Sequence, residues 1–138
     1  MMLSDYLDQV AARGFAYGDL DCCTLMADWL TWRGLPDAMA DRRASYASYR
    51  QYRALMRAEG GIVASCGRRF AAVGLSALTV PVAGDVCLVK APVLVRRDRI
   101  WWGVTGAIAV SDRLRAVVTP DAGLVIAELD VVSAWGLA

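Results

Sequence analysis

The sequence predicts an α+β fold in which helices of the N-terminal half pack on an antiparallel β-sheet of the C-terminal half. Two changes of texture carry that expectation. Up to about residue 73, apolar residues recur at helical spacing between capping and breaking residues. From Gly84 onward the chain turns to β-branched runs separated by short turn signals. Size is the third observation. With 138 residues, 57% of them hydrophobic, the chain can build one real core and is too short to divide into two independently stable units. Residues 1–138 are therefore expected to form a single domain.

Taken in order, Ser4 is placed to cap a first helix that carries Tyr6, Leu7, Val10 and Ala11 on one face and ends at Gly14. A second helix is expected over about 22–33, with Leu25, Met26, Trp29 and Leu30 at helical spacing. Gly34-Leu35-Pro36 stops it, because proline cannot continue a helix and disfavours the helical region in the residue before it. Residues 37–43 read as a short helical turn, 48–59 as a third helix closed by Gly60-Gly61, and 62–73 as a fourth, weaker one. Strands are expected over 86–89, 104–110, 114–119 and 124–127. Arg96-Arg97-Asp98-Arg99 reads as a loop, and Ser111-Asp112 and Asp121-Ala122-Gly123 sit where hairpin turns belong. Antiparallel strands after helices place the second helix on the sheet.

Composition excludes several classes of function. Lys+Arg number 15 against 14 Asp+Glu, a net charge of +1, so no overall field draws the chain to nucleic acid or an anionic membrane. The longest stretch poor in charge, 70–88, is broken by Gly74, Pro81 and Gly84, so no membrane span is expected. Asp5 and Asp8 stand where a signal peptide would need a cationic and then an apolar run, which points to a cytoplasmic protein. The four cysteines, Cys22, Cys23, Cys66 and Cys87, include no CxxC pair, so no zinc or iron–sulfur site, no other metal and no cofactor is expected. Cys23, Cys66 and Cys87 read as small apolar core residues.

Chemistry concentrates in Tyr17-Gly18-Asp19-Leu20-Asp21-Cys22-Cys23-Thr24-Leu25. Here Asp21 is the expected helix N-cap and Cys22 the first helical residue. A cysteine at a helix N-terminus stands where a nucleophile would be put, since free N–H groups and the positive end of the dipole favour thiolate. Yet the chain has no histidine, the usual proton acceptor for such a group.

These residues resemble the NlpC-type papain-like cysteine peptidases. In that family an Asp-Cys-Ser-Gly motif carries the nucleophile, a Gly-Asp-(Leu/Val) segment opens the first strand of the sheet, and a histidine at the start of the next strand is the base. Carried over, Cys22 matches the nucleophile, Asp21 the acid before it, and Gly84-Asp85-Val86 the first strand. The chain is more similar still to small phage and prophage proteins of this superfamily encoded among tail genes. With these it shares the Tyr-Gly-x-x-Asp-Cys opening at 17–22, then Gly123-Leu124 and Ala134-Trp135. The resemblance implies a papain-like, NlpC-type arrangement of the predicted α+β fold.

The departure from the family pattern shapes the functional reading. The histidine slot falls at Trp102-Gly103-Val104-Thr105-Gly106, none of which accepts a proton from a thiol at neutral pH. Cysteine–histidine chemistry needs the base both to form the thiolate and to protonate the leaving amine. Cys22 is thus expected to be a vestigial nucleophile position. The chain reads as a non-enzymatic structural or assembly component of a phage tail tip or tail-like particle. The resemblance then implies other tail proteins as partners and a path from the bacterial cytoplasm to the virion. The alternative is a cysteine hydrolase of peptidoglycan using Cys22 with an unrecognised or partner-supplied base.

Arg42, Arg43, Arg50, Arg53 and Arg57, interleaved with Tyr46, Tyr49 and Tyr52, offer the elements of a nucleic-acid face, but the helical spacing of Arg50, Arg53 and Arg57 fits equally well a solvated stripe with its tyrosines packed beneath, and no nucleic-acid partner is expected. The basic tip at Arg96 and Arg97 beside Trp101 and Trp102 is the expected protein-binding surface, because arginine and tryptophan deliver large contact area at interfaces. Trp29, Trp32 and Trp135 read as core or half-buried.

Overall fold

Four helices precede six strands in the computed structural model, which describes residues 2–137 and, within them, all side chains but those of 93–96. The helices are α1 (Leu3–Ala11), α2 (Cys22–Trp32), α3 (Tyr49–Ala58) and α4 (Ile62–Ala72). The strands are β1 (Ser76–Leu78), β2 (Val86–Arg96), β3 (Arg99–Ala109), β4 (Leu114–Thr119), β5 (Gly123–Glu128) and β6 (Val131–Gly136). They form one antiparallel sheet in the order β1-β6-β2-β3-β4-β5. The predicted α+β class, helices first and antiparallel sheet second, is the observed one. Among the described residues no helix is long and apolar enough to cross a membrane.

Alternation along β2 divides the core between the two faces of the sheet. Val86 and Leu88 join the main cluster beneath the helices, with Leu25, Met26, Trp29, Leu30, Phe70 and Ile108. Cys87 and Val89 join a smaller cluster on the opposite face with Ala91, Ala107, Val117 and Ala134. Helix α2 is buried almost all round: Cys23, Thr24, Leu25, Met26, Ala27, Trp29 and Leu30 lose their solvent contact. It crosses β3 so closely that a Cβ at Gly106 would lie 2.3 Å from the carbonyl oxygen of Cys22. Trp29 anchors its far end by donating from Nε1 to the carbonyl of Gly84 at 2.7 Å. Trp135 is buried against Phe70, and Trp32 is half-buried.

Three expectations are corrected. Met2, not Ser4, is the N-cap of α1. Asp5 in the first turn accepts from the Met2 N–H at 3.3 Å, which pulls the helix start forward and places Ser4 inside it. Strands expected over 86–89 and 104–110 are the roots of two eleven-residue strands, paired from Val86↔Ile108 to Arg96↔Arg99 and joined by Arg97-Asp98, with Arg97 at φ 53°. The arginine cluster at 96–99 reads as a loop, whereas it closes the hairpin, and Pro92 lies within β2. A ribbon tolerates proline where the missing N–H faces an unpaired edge, and β6 pairs with β2 only as far as Val89. Strands β1 and β6 were not expected at all. Each is short, and β6 is defined by pairing with β1 on one side and β2 on the other, not by a local pattern.

Candidate functional site

Asp21 organises the start of α2. It is 1% exposed, and its carboxylate accepts from the backbone of Cys23 at 2.9 Å, Thr24 at 3.0 Å and Gly18 at 2.8 Å, and from the hydroxyl of Tyr46 at 2.5 Å. Thr24 returns the cap by accepting from the Asp21 N–H at 2.8 Å. The expected N-cap is therefore present, and it also ties the 17–20 loop and the buried Tyr46 to the helix start.

Cys22 follows as the first residue of α2 and is half-buried. Its Sγ lies 3.4 Å from the hydroxyl of Tyr52, a residue of α3 that also sits 3.9 Å from Cys23 Sγ. Cys22 and Thr105 of β3 line one cavity, of about 200 Å³. Besides Cys22, the walls come from five places: Phe15 and Tyr17 before α2, Tyr49 and Tyr52 on α3, 91–92 on β2, 103–105 on β3 and 117–120 at the end of β4.

Electrostatics at the sulfur run against the thiolate expected at a helix N-terminus. Donation from the Cys22 thiol to Cys23, then burial, then the neighbouring Cys23 and Asp21 charges push the Cys22 thiol well above its ordinary value, and the Tyr52 hydroxyl pulls the other way as the smallest of these effects. In Cys23 the hydrogen bond with Cys22 lowers the thiol, but the one with Cys66 and burial raise it further. Burial, reinforced by the adjacent thiols, also raises the Tyr52 phenol. At neutral pH the site therefore holds protonated thiols and phenols. Since only thiolate is alkylated, labelling of Cys22 by iodoacetamide should keep rising with pH beyond the point where a free thiol, with pKa near 8.5, levels off. A plateau reached below that point would show an activated cysteine instead. Cys66 and Cys87 are buried, as expected of core residues, and burial raises the Cys87 thiol to about 11.

Asp21, Cys22 and Cys23 bring one ligand atom each to within 4.8 Å of one another. Both Asp21 oxygens are already accepting hydrogen bonds. A cation there would have to break the cap of α2 and strip two thiols whose protons are held, so the trio is explained by the helix start alone.

Arg42 stands apart from the exposed arginines of α3. It is 2% exposed and reaches under α2 to Ser65 Oγ at 2.9 Å, Cys23 Sγ at 3.8 Å and Met56 Sδ at 3.9 Å, with Glu59 as its ion-pair partner. Arg69 continues the network to Asp41 and Glu59, each at 2.6 Å. These contacts tie the 38–44 turn to α3 and α4. Arg50, Arg53 and Arg57 are exposed along α3, while Tyr46 is buried on the Asp21 carboxylate.

The expected protein-binding residues stand at the end of the β2–β3 ribbon. Past Pro92 the ribbon has no strand on either outer edge among the described residues, because β6 stops at Val89 of β2 and β4 meets β3 only at Ile108 and Ala109. Trp101 is 43% and Trp102 63% exposed, with Ile100 beside them and Arg97 exposed at the turn. Arg96 ends β2, and its side chain lies outside the described residues. The hairpin is some distance in sequence from Cys22, and only its root, at 91–92 and 103–105, reaches the cavity.

Tyr52, Tyr46 and Arg42 are the members of the site that the sequence did not single out individually. A helical tyrosine spacing on α3 was the available signal, but which ring meets the cysteines depends on how α3 lies over α2.

Residues 1–137 match the family described as a domain of unknown function, DUF6950, and the chain belongs to that family. No curated protein and no solved structure matches it.

Proposed function

We propose that this DUF6950 protein is a non-enzymatic structural or assembly component of a phage tail tip or tail-like particle, built on a degenerate NlpC-type domain. The observation that carries the reading is the company of the Cys22 sulfur. The Tyr52 hydroxyl lies 3.4 Å from it and the adjacent Cys23 thiol raises its pKa, and neither accepts a proton at neutral pH. A cysteine at the head of a helix, lining one cavity with Thr105 of the strand where a papain-like base would stand, fits the resemblance noted in the sequence. The missing base and the protonated thiol remove the acid–base cycle that hydrolysis needs.

The hydrolase alternative requires a base brought by another chain into a cavity whose described walls are uncharged, and that base would have to draw a proton from a thiol held well above its ordinary pKa. No observation favours it.

Under the assembly reading, contact with a neighbouring protein is made by the unpaired ribbon, where Arg97, Trp101 and Trp102 offer charge and apolar area together. Replacing Arg97 and Trp101 by alanine should impair incorporation into particles while leaving the circular dichroism spectrum and melting temperature of the purified chain unchanged. Cys22→Ala should leave incorporation intact. Loss of infection or of peptidoglycan hydrolysis in Cys22→Ala particles that assemble normally would replace this reading with the enzymatic one.

A further inference from the structure

We infer that the cavity at Cys22 is a binding site for a free, uncharged ligand about the size of one aromatic ring carrying a single hydrogen-bonding group. The inference goes beyond the docking role and does not depend on it, because the cavity and the tip of the ribbon are separate surfaces.

Size is the first ground. The volume of about 200 Å³ is somewhat larger than apolar cavities of roughly 150 Å³ that stay dry and take up benzene. The second ground is the wall. Phe15, Tyr17, Tyr49 and Tyr52 provide rings on the helical side, and the sheet side is made of Val104, Val117 and small neighbours. Among the described residues no charged side chain lines the space, so an ionised ligand would lose its hydration with no counter-charge in return. A neutral ring keeps its stacking and apolar contact.

The polar side chains of the lining are the Cys22 thiol and the hydroxyls of Tyr17, Tyr49, Tyr52, Thr105 and Thr119, and two of them stand together. The Cys22 thiol and Tyr52 hydroxyl lie 3.4 Å apart, a pair able to donate to or accept from one ligand group. Both stay neutral, since their environment raises each of them, and burial raises the Tyr17 phenol as well. A concavity of rings and aliphatic side chains with a convergent thiol–hydroxyl pair, formed where two helices, a loop and a sheet meet, is the usual form of a small-molecule site. Phenols and indoles are the ligand class that this combination selects.

Cys22 supplies the readout, because a ligand in the cavity covers its sulfur. The intact chain is titrated with p-cresol and with indole, alongside their charged analogues 4-hydroxybenzoate and indole-3-acetate. Alkylation of Cys22 by iodoacetamide at alkaline pH is followed by mass spectrometry. At least one neutral probe should slow labelling saturably, roughly tenfold at ten times its dissociation constant, while the charged analogues leave the rate unchanged. Thr105→Phe, which fills the cavity, should abolish the effect of the probe. Tyr49→Ala removes an exposed wall and should weaken binding several-fold without disturbing the fold.

Equal protection by charged and neutral probes, or none by either neutral probe up to its solubility limit, overturns the inference. Unchanged probe protection in both variants, once each is shown to be folded, does the same. Protection that needs no probe, rises with protein concentration and disappears in Trp102→Ala would assign the cavity to a side chain of a second copy and overturn the free-ligand assignment.

Discussion

Replacing Asp21 by alanine should cost about 4 kcal/mol of folding stability, close to half the total of a domain of this size. Loss of the cap on α2 contributes about 1 kcal/mol. The larger part comes from what is left behind: the buried N–H of Gly18 and hydroxyl of Tyr46 lose their acceptor in a place water does not reach, at roughly 1–3 kcal/mol each. Asp21→Asn should cost about half as much, since one side-chain oxygen still caps while the amide faces a donor. Tyr46→Phe should cost only about 1 kcal/mol. Asp21→Ala combined with Tyr46→Phe should therefore lose less than the sum of the single changes, because the hydroxyl stranded by the first is removed by the second. Urea unfolding of the four variants measures this. Strict additivity, or a cost for Asp21→Ala no greater than that of an exposed cap, would show that the carboxylate does not hold the 17–20 loop and Tyr46 to the helix.

Gly106→Ala should destabilise by about 3 kcal/mol although it adds one carbon. The new Cβ would lie 2.3 Å from the carbonyl oxygen and 3.0 Å from the carbonyl carbon of Cys22, and 2.5 Å from Met26 Cε. The methionine can swing aside, but the helix backbone cannot, so α2 must lift from β3 and open the best-packed seam of the core. Gly34→Ala is the matching control. At φ +88° it strains the backbone by about 1 kcal/mol yet meets nothing within 4 Å. If both variants lose the same stability in urea, the contact between α2 and β3 is looser than described. Because Cys22 rides on that seam, Gly106→Ala should also raise the rate of Cys22 alkylation, whereas Gly34→Ala should not.

Helix and strand identities were legible wherever the signal was local. The Asp21 cap, the Gly34-Leu35-Pro36 stop, the Gly60-Gly61 break and the turns at 111–112 and 121–123 act through a few adjacent residues and need no partner to be recognised. The reach of the β2–β3 ribbon was not legible. Its pairing depends on the two strands meeting and not on the arginine cluster at 96–99, which by itself reads as loop. The same holds for β6, which takes its place between β1 and β2 only once both exist.

At the candidate site the sequence alone determined that Cys22 heads a helix behind an Asp21 cap and that no imidazole is present to serve it, because helix capping and composition are local or global properties of the chain itself. Only the tertiary structure decided the state of that cysteine. Crossing α3 over the start of α2 brings Tyr52 to the sulfur, burial and the Cys23 contact then outweigh the helix terminus and keep the proton on, and Arg42 is drawn into the layer beneath α2. Proximity between residues thirty positions apart, and the desolvation that comes with it, are set by packing, and packing is written in no single segment.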